Sequence, residues 1–143
     1  MAQQPNLQRF LDAQKSSYQT ALAEIINGRK RSHWMWFIFP QIQGLGFSET
    51  SKFYAIKDAS EAEAYSQHPV LGSRLIEISK AALQLASDNA TQVFGSPDDL
   101  KLKSSMTLFA ALNDADPVFQ AVLDKFFGGK QDAQTLKILE KQV

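Results

Sequence analysis

Apolar positions along the chain recur at intervals of three and four residues, in short runs broken by capping residues, prolines and glycines, and this rhythm predicts helices throughout. Leu7, Phe10 and Leu11 open an amphipathic turn or two. Ser17 then stands where it would cap a second helix with the stripe Tyr18, Ala21, Leu22, Ile25 and Ile26, stopped by Gly28. The run Ser32-His33-Trp34-Met35-Trp36-Phe37-Ile38-Phe39-Pro40 is bulky enough to suggest a strand. It reads instead as a short buried helix, because Ser32 is a capping residue, Pro40 is a terminator and no other segment offers a convincing strand to pair with.

A glycine-containing loop over residues 41–46 follows, and Ser48 caps a short helix ending near Ile56. Ser60 and Glu63 have the capping-box spacing for a helix through Tyr65. Pro69 suits a first helical position, with Leu71, Leu75, Ile78, Ala82 and Leu85 forming a stripe to about Ser87, predicted to be the longest helix. Ser96-Pro97-Asp98-Asp99 combines a cap, a proline and two acids placed against the helix dipole, leading to Leu102, Met106 and Phe109. Asp116-Pro117 repeats the device before Val118, Phe119, Val122, Leu123 and Phe126, and Gly128 with Gly129 ends that helix. Asp132 caps the last one, with Leu136 and Leu139 inward. The expectation is one all-α globular domain over residues 1–143, with about seven to nine helices, several short, and residues 34–39 near its centre. No repeat or linker divides it.

Composition narrows the function classes. The 143 residues are 44% hydrophobic, enough for one sizeable core. Fifteen basic and 15 acidic side chains cancel, so no overall field gathers nucleic acid, and none is expected as a partner. Cysteine is absent and only His33 and His68 represent histidine, which removes thiol chemistry and the usual zinc clusters; neither a metal nor a cofactor is expected. Residues 1–6 lack the order of a signal peptide, and no apolar run approaches the ~20 residues of a membrane span. A cytoplasmic protein without membrane attachment is the expectation.

Candidate chemistry gathers in residues 32–48. Two tryptophans, two phenylalanines and a histidine lie within seven positions, followed by Gln41 and Gly44-Leu45-Gly46. Ligand pockets combine apolar walls with a few placed polar groups, so His33, Trp34, Trp36, Gln41 and Ser48 are candidate ligand-binding residues. Trp34 or Trp36 would stack on a base, and residues 29–31 or Arg74 would hold a phosphate. The alternative is that these aromatics fill the core and that His33 and Gln41 satisfy neighbouring backbone groups. Asp98 and Asp99 are explained by a helix first turn, and the Lys101/Ser104 spacing would make a catalytic dyad only with a desolvated lysine. No phosphate loop, dinucleotide fingerprint or nucleophile elbow occurs, and no catalytic residue is assigned.

Several runs together resemble a known family: Arg9-Phe10 with Ala13-Gln14, the stretch from Ser32 to Gln41, Gly44-Leu45-Gly46 with Ser48, Tyr54-Ala55-Ile56, His68-Pro69-Val70-Leu71-Gly72 with Arg74-Leu75, and Phe94-Gly95 through Asp98 to Phe109. This is the bacterial domain of unknown function 1810 family. The resemblance covers nearly the whole chain and implies an all-α fold with no established activity. The name calpastatin often given to such chains does not fit, because a disordered inhibitor would lack this core-rich composition. More distantly, Gly46-Phe47-Ser48, the 61–65 helix, Met106, Leu108-Phe109, Leu123 and Thr135-Leu136 resemble the all-helical family that hydrolyses N-glycosidic bonds in ADP-ribose or riboflavin-precursor metabolites. That family's Ser-Glu-His motif is absent here. The resemblance implies a small hydrolase acting on a phosphorylated, nucleotide- or ADP-ribose-derived metabolite; the alternative is a non-catalytic ligand-binding or protein-interaction module using residues 32–48.

Overall fold

In a computed structural model that describes residues 7–142, the chain forms nine α-helices and no strands among those residues. They are α1 (Gln8–Ile26), α2 (Met35–Ile38), α3 (Glu49–Phe53), α4 (Ala59–Gln67), α5 (Leu71–Leu83), α6 (Ala90–Phe94), α7 (Asp98–Ala110), α8 (Pro117–Phe127) and α9 (Ala133–Lys141). The signal-peptide reading of residues 1–6 lies outside the described residues. No described helix is long and apolar enough to cross a membrane.

Where a local capping signal was strong, the helix starts or stops there. The Ser48 hydroxyl accepts the amide of Ser51, Asp116 accepts that of Val118 with Pro117 in the first turn, and Asp132 accepts that of Thr135. Gly28 lies just past α1 with φ +86°, and Gly128 closes α8 with φ +62°.

Other boundaries differ from the expectation. Residues 8–26 form one continuous helix of 19 residues, the longest among those described, so Ser17 is helix interior and α5, with 13, equals α7 in length. The expected break rested on Ser17 as a cap, but the helix runs through it, and Gln14 one turn earlier is buried and committed across the core: its amide donates to the Phe37 carbonyl at 2.8 Å and to the Tyr65 hydroxyl at 2.9 Å. Helix α4 begins two residues early, capped by Asp58 on the amide of Glu61 at 2.9 Å rather than by Ser60. The first amides of α5 are met by His68 Nδ1, which accepts from Val70 and Leu71, so Pro69 precedes the helix. In α7 the capping position is Pro97, not Ser96. Helix α6, capped by Asn89, had no counterpart in the sequence reading.

Helix α7 is the centre of the structure. Leu102 and all six residues from Ser104 to Phe109 are buried, which a one-sided stripe would not produce; a helix covered on several sides does. It packs on α8, α4, α6 and α9, while α5 bridges α8 to α1. Aromatic rings run through the core, with Phe10 edge-on to Tyr65 at 5.0 Å, Tyr65 to Phe109 at 5.5 Å and Phe109 to Phe119 at 5.7 Å. Helices α4 and α5 meet at Gly72, where a Cβ would lie 2.0 Å from the Ser66 carbonyl oxygen; only glycine permits that approach.

Candidate functional site

Within residues 32–40 the helix expected from Ser32, Pro40 and the lack of a partner strand is present as α2 (Met35–Ile38), but its start is held differently. Trp34 occupies the capping position without a side-chain cap. Ser32 faces back to α1, where Glu24 gathers four hydrogen bonds: from the amides of Arg31 (2.7 Å) and Ser32 (2.9 Å), the Ser32 hydroxyl (2.5 Å) and the Trp34 indole (2.8 Å). Burial pushes the Glu24 carboxyl up, but the Ser32 hydroxyl, the Arg31 amide and the Trp34 indole outweigh it and hold the group down at about 2. Glu24 pins the segment to α1.

Beyond Pro40 the chain runs beside residues 55–57. The Gln41 carbonyl accepts the Ile56 amide and the Ile56 carbonyl accepts the Gln43 amide, both at 2.8 Å, making an isolated parallel bridge between Ile42 and Ile56. The loop then turns at Gly44, with φ +108°, and presses Gly46 so closely on α3 that a Cβ there would lie 2.6 Å from Ser51. The amides of Gly44, Leu45 and Gly46 have no acceptor among the described residues.

This loop forms one side of a cavity of about 270 Å³. Trp36 from α2, Lys52 and Tyr54 at α3, Lys101 and Ser104 from α7, and Asp132 with Gln134 at α9 complete the parts that bear chemistry. The Lys101 ammonium lies 3.7 Å from the centre of the Trp36 ring and 3.0 Å from Asp98 Oδ1. Asp98 Oδ2 takes Lys30 at 2.8 Å, and Lys30 in turn lies over Trp34 at 5.2 Å and donates to the Ser32 carbonyl at 2.5 Å. Burial raises the Asp98 carboxyl, but the hydrogen bonds and charges of Lys30 and Lys101 dominate and lower it below its ordinary value. Two lysines on one carboxylate leave the cluster one positive charge in excess. Lys101 is ion-paired, which is the opposite of the neutral amine that a serine-lysine dyad with Ser104 requires, and the Ser104 hydroxyl is spent on the Leu100 carbonyl at 3.1 Å.

Of the six residues proposed from the sequence, Trp36 and Gln41 line this cavity and the other four do not. Trp34 is 1% exposed with its indole on Glu24, so it is core. His33 is exposed on the surface, and Ser48 is the cap of α3. Arg74 lies elsewhere, over the Tyr18 ring at 5.0 Å and 3.4 Å from the Gln14 side-chain oxygen, in a buried polar chain that also contains Tyr65. Of residues 29–31, Lys30 is committed to Asp98. Lys52 and Gln134 escaped the sequence reading, Asp132 appeared there only as a helix cap, and Lys101 only through its spacing to Ser104. Among the described residues no group of three or more His, Asp or Glu could hold a metal ion.

Residues 4–139 match the family described as "Protein of unknown function (DUF1810)". The chain belongs to the DUF1810 family. A solved structure is similar to it over almost its whole length: the conserved hypothetical protein Rv1873 from Mycobacterium tuberculosis is 47% identical, with a TM-score of 0.92, covering 94% of this chain and 96% of that one. A comparison with curated proteins finds no match. The likeness to N-glycosidases is not supported by these comparisons, and DUF1810 membership brings no activity with it.

Proposed function

We propose that this protein binds a small phosphorylated, nucleotide-derived metabolite in the cavity between α2, the 41–46 loop, α3 and α7. The observation that carries the reading is Lys101, an ammonium held at the cavity wall by Asp98 and the Trp36 face, its side chain only 18% exposed. A cation so positioned has already lost part of its water and its freedom, so an anion gains more there than at a solvated surface lysine. The lining adds Lys52 against the single carboxylate of Asp132, and the unpaired amides of residues 44–46 supply further donors for phosphate oxygens.

The test is a thermal-shift screen against phosphate, nucleoside monophosphates and ADP-ribose, repeated on Lys101→Met. A ligand at a hundred times its Kd stabilises the fold by ~2.7 kcal/mol, well within detection. Stabilisation by phosphorylated compounds that disappears in Lys101→Met is the expected result; equal stabilisation of both proteins sinks the reading.

A second reading, a small hydrolase of N-glycosidic bonds, draws on Asp132. Its Oδ2 is committed to the Thr135 amide and hydroxyl, at 3.0 and 2.6 Å, while Oδ1 has no partner among the described residues. A carboxylate oxygen so placed in the lining can serve as a general base toward water.

A further inference from the structure

We infer that the cavity selects a sugar phosphate, gripping the hydroxyl-bearing part of its ligand with glutamine amides rather than stacking a base; this rests on the anion-binding reading above. Stacking inside the cavity requires an aromatic face in its lining, and the two aromatic residues of the lining, Trp36 and Tyr54, already have partners. The Trp36 ring carries the Lys101 ammonium at 3.7 Å. Tyr54, the other aromatic residue of the lining, is surrounded by Phe53 at 4.8 Å, Phe37 at 5.2 Å and Phe10 at 6.1 Å. Trp34 is core.

The uncommitted groups of the lining are of another kind. The side-chain amides of Gln41, Gln43 and Gln134 have no hydrogen-bond partner among the described residues, and Gln41 is half-buried. Each amide offers both donors and an acceptor, the complement of a hydroxyl that donates and accepts at once. A nucleobase would present a fixed pattern and a hydrophobic face, for which the lining offers no aromatic ring without a partner. Size points the same way. A cavity of about 270 Å³ is smaller than the ~300–1,000 Å³ that enclose drug-sized ligands, so it takes a pentose phosphate and leaves a base or a second nucleoside outside.

The experiment is a calorimetric titration of the full chain with inorganic phosphate, ribose 5-phosphate, adenosine and AMP, on the wild type and on Gln41→Ala/Gln134→Ala. Ribose 5-phosphate is expected to bind at least ~10-fold more tightly than phosphate, adenosine not at all, and AMP within ~3-fold of ribose 5-phosphate; a tenfold gain is the scale of one well-made hydrogen bond. The double variant should bring ribose 5-phosphate down to the phosphate level and leave phosphate affinity unchanged. Because both glutamines could alter the loop, the amide NMR spectrum of the variant is compared with wild type, and the glutamine side-chain resonances of the wild type should move on adding ribose 5-phosphate but not phosphate. Phosphate binding with no gain from the sugar overturns this inference alone. So does adenosine binding as tightly as AMP, or glutamine resonances that stay still. If no anion binds, the anion-binding reading falls and this one with it.

Discussion

Lys101 and Trp36 lie 65 residues apart in the chain and meet with the ammonium 3.7 Å from the ring centre, at the wall of the cavity that residues 41–46 border. The pairing assigns the ring a supporting role: it holds a cation in place and leaves the cation to meet the ligand. Trp36→Phe keeps an aromatic face and should weaken phosphate-dependent stabilisation by a few-fold, whereas Trp36→Leu should weaken it by ~10-fold, since cation–π contacts contribute about 0.5–2 kcal/mol. Titration of the two variants in parallel checks the order.

Gln41→Ala isolates the polar contribution of the same segment. Its backbone carbonyl, which receives the Ile56 amide, is untouched by the substitution, so the bridge to Ile56 and the melting temperature should be preserved while ligand affinity drops. Ligand binding that survives both Gln41→Ala and Trp36→Phe unaltered would place the site elsewhere.

Asp132→Asn separates folding from chemistry. Asparagine caps a helix as well as aspartate, so α9 and the melting temperature should be little changed. On the hydrolase reading, release of free sugar from ADP-ribose-type compounds falls by at least ~100-fold, as expected when a general base is lost. Binding of the phosphorylated compound should persist. Turnover unaffected by the substitution rules out this carboxylate as the base.

Acid should loosen the structure through Glu24. The folded state lowers this carboxyl from 4.5 to about 2, so it binds its proton less readily folded than unfolded, and the stability it contributes is present above pH 4.5 and lost as pH falls toward 2. Glu24→Gln should therefore melt lower than wild type at pH 6, with the gap closing between pH 4.5 and 2. At neutral pH the deficit should be about 2 kcal/mol, the scale of hydrogen bonds to a charged acceptor. A gap independent of pH would show that the carboxylate's charge does not matter.

Gly72→Ala tests the closest approach in the fold. A methyl group 2.0 Å from the Ser66 oxygen must push α4 from α5, and overpacking of that kind costs about 3 kcal/mol. Chemical denaturation reads this directly; a loss below about 1 kcal/mol would mean that the two helices separate freely.

The helical class was legible because caps, prolines and terminal glycines act within one turn, as at Ser48, Asp116, Gly128 and Asp132. Boundaries went astray where a polar side chain had a distant partner. Ser17 looks like a cap until Gln14, one turn before it, has Phe37 and Tyr65 beside it, and Ser32 looks like a cap until Glu24 claims it. The cavity follows the same division. Trp36 and Gln41 stand in a segment conspicuous for its aromatics, but Lys52, Lys101 and Asp132 are ordinary surface residues in the sequence and acquire meaning only when α3, α7 and α9 converge. The bridge between Ile42 and Ile56 joins single residues, too short to leave a strand-like pattern.

Gln14 also has a bearing on how the cavity responds to events far from it. One amide group joins α1 to the carbonyl of Phe37, the residue following Trp36, and to the Tyr65 hydroxyl, while its oxygen meets Arg74. Gln14 thus ties α4 and α5 to the residue adjoining the cavity wall by hydrogen bonds within the protein. Substitutions at Tyr65 or Arg74, neither of which lines the cavity, should change ligand affinity, and a ligand that fixes Trp36 should in turn slow the exchange of amide hydrogens in α4 and α5.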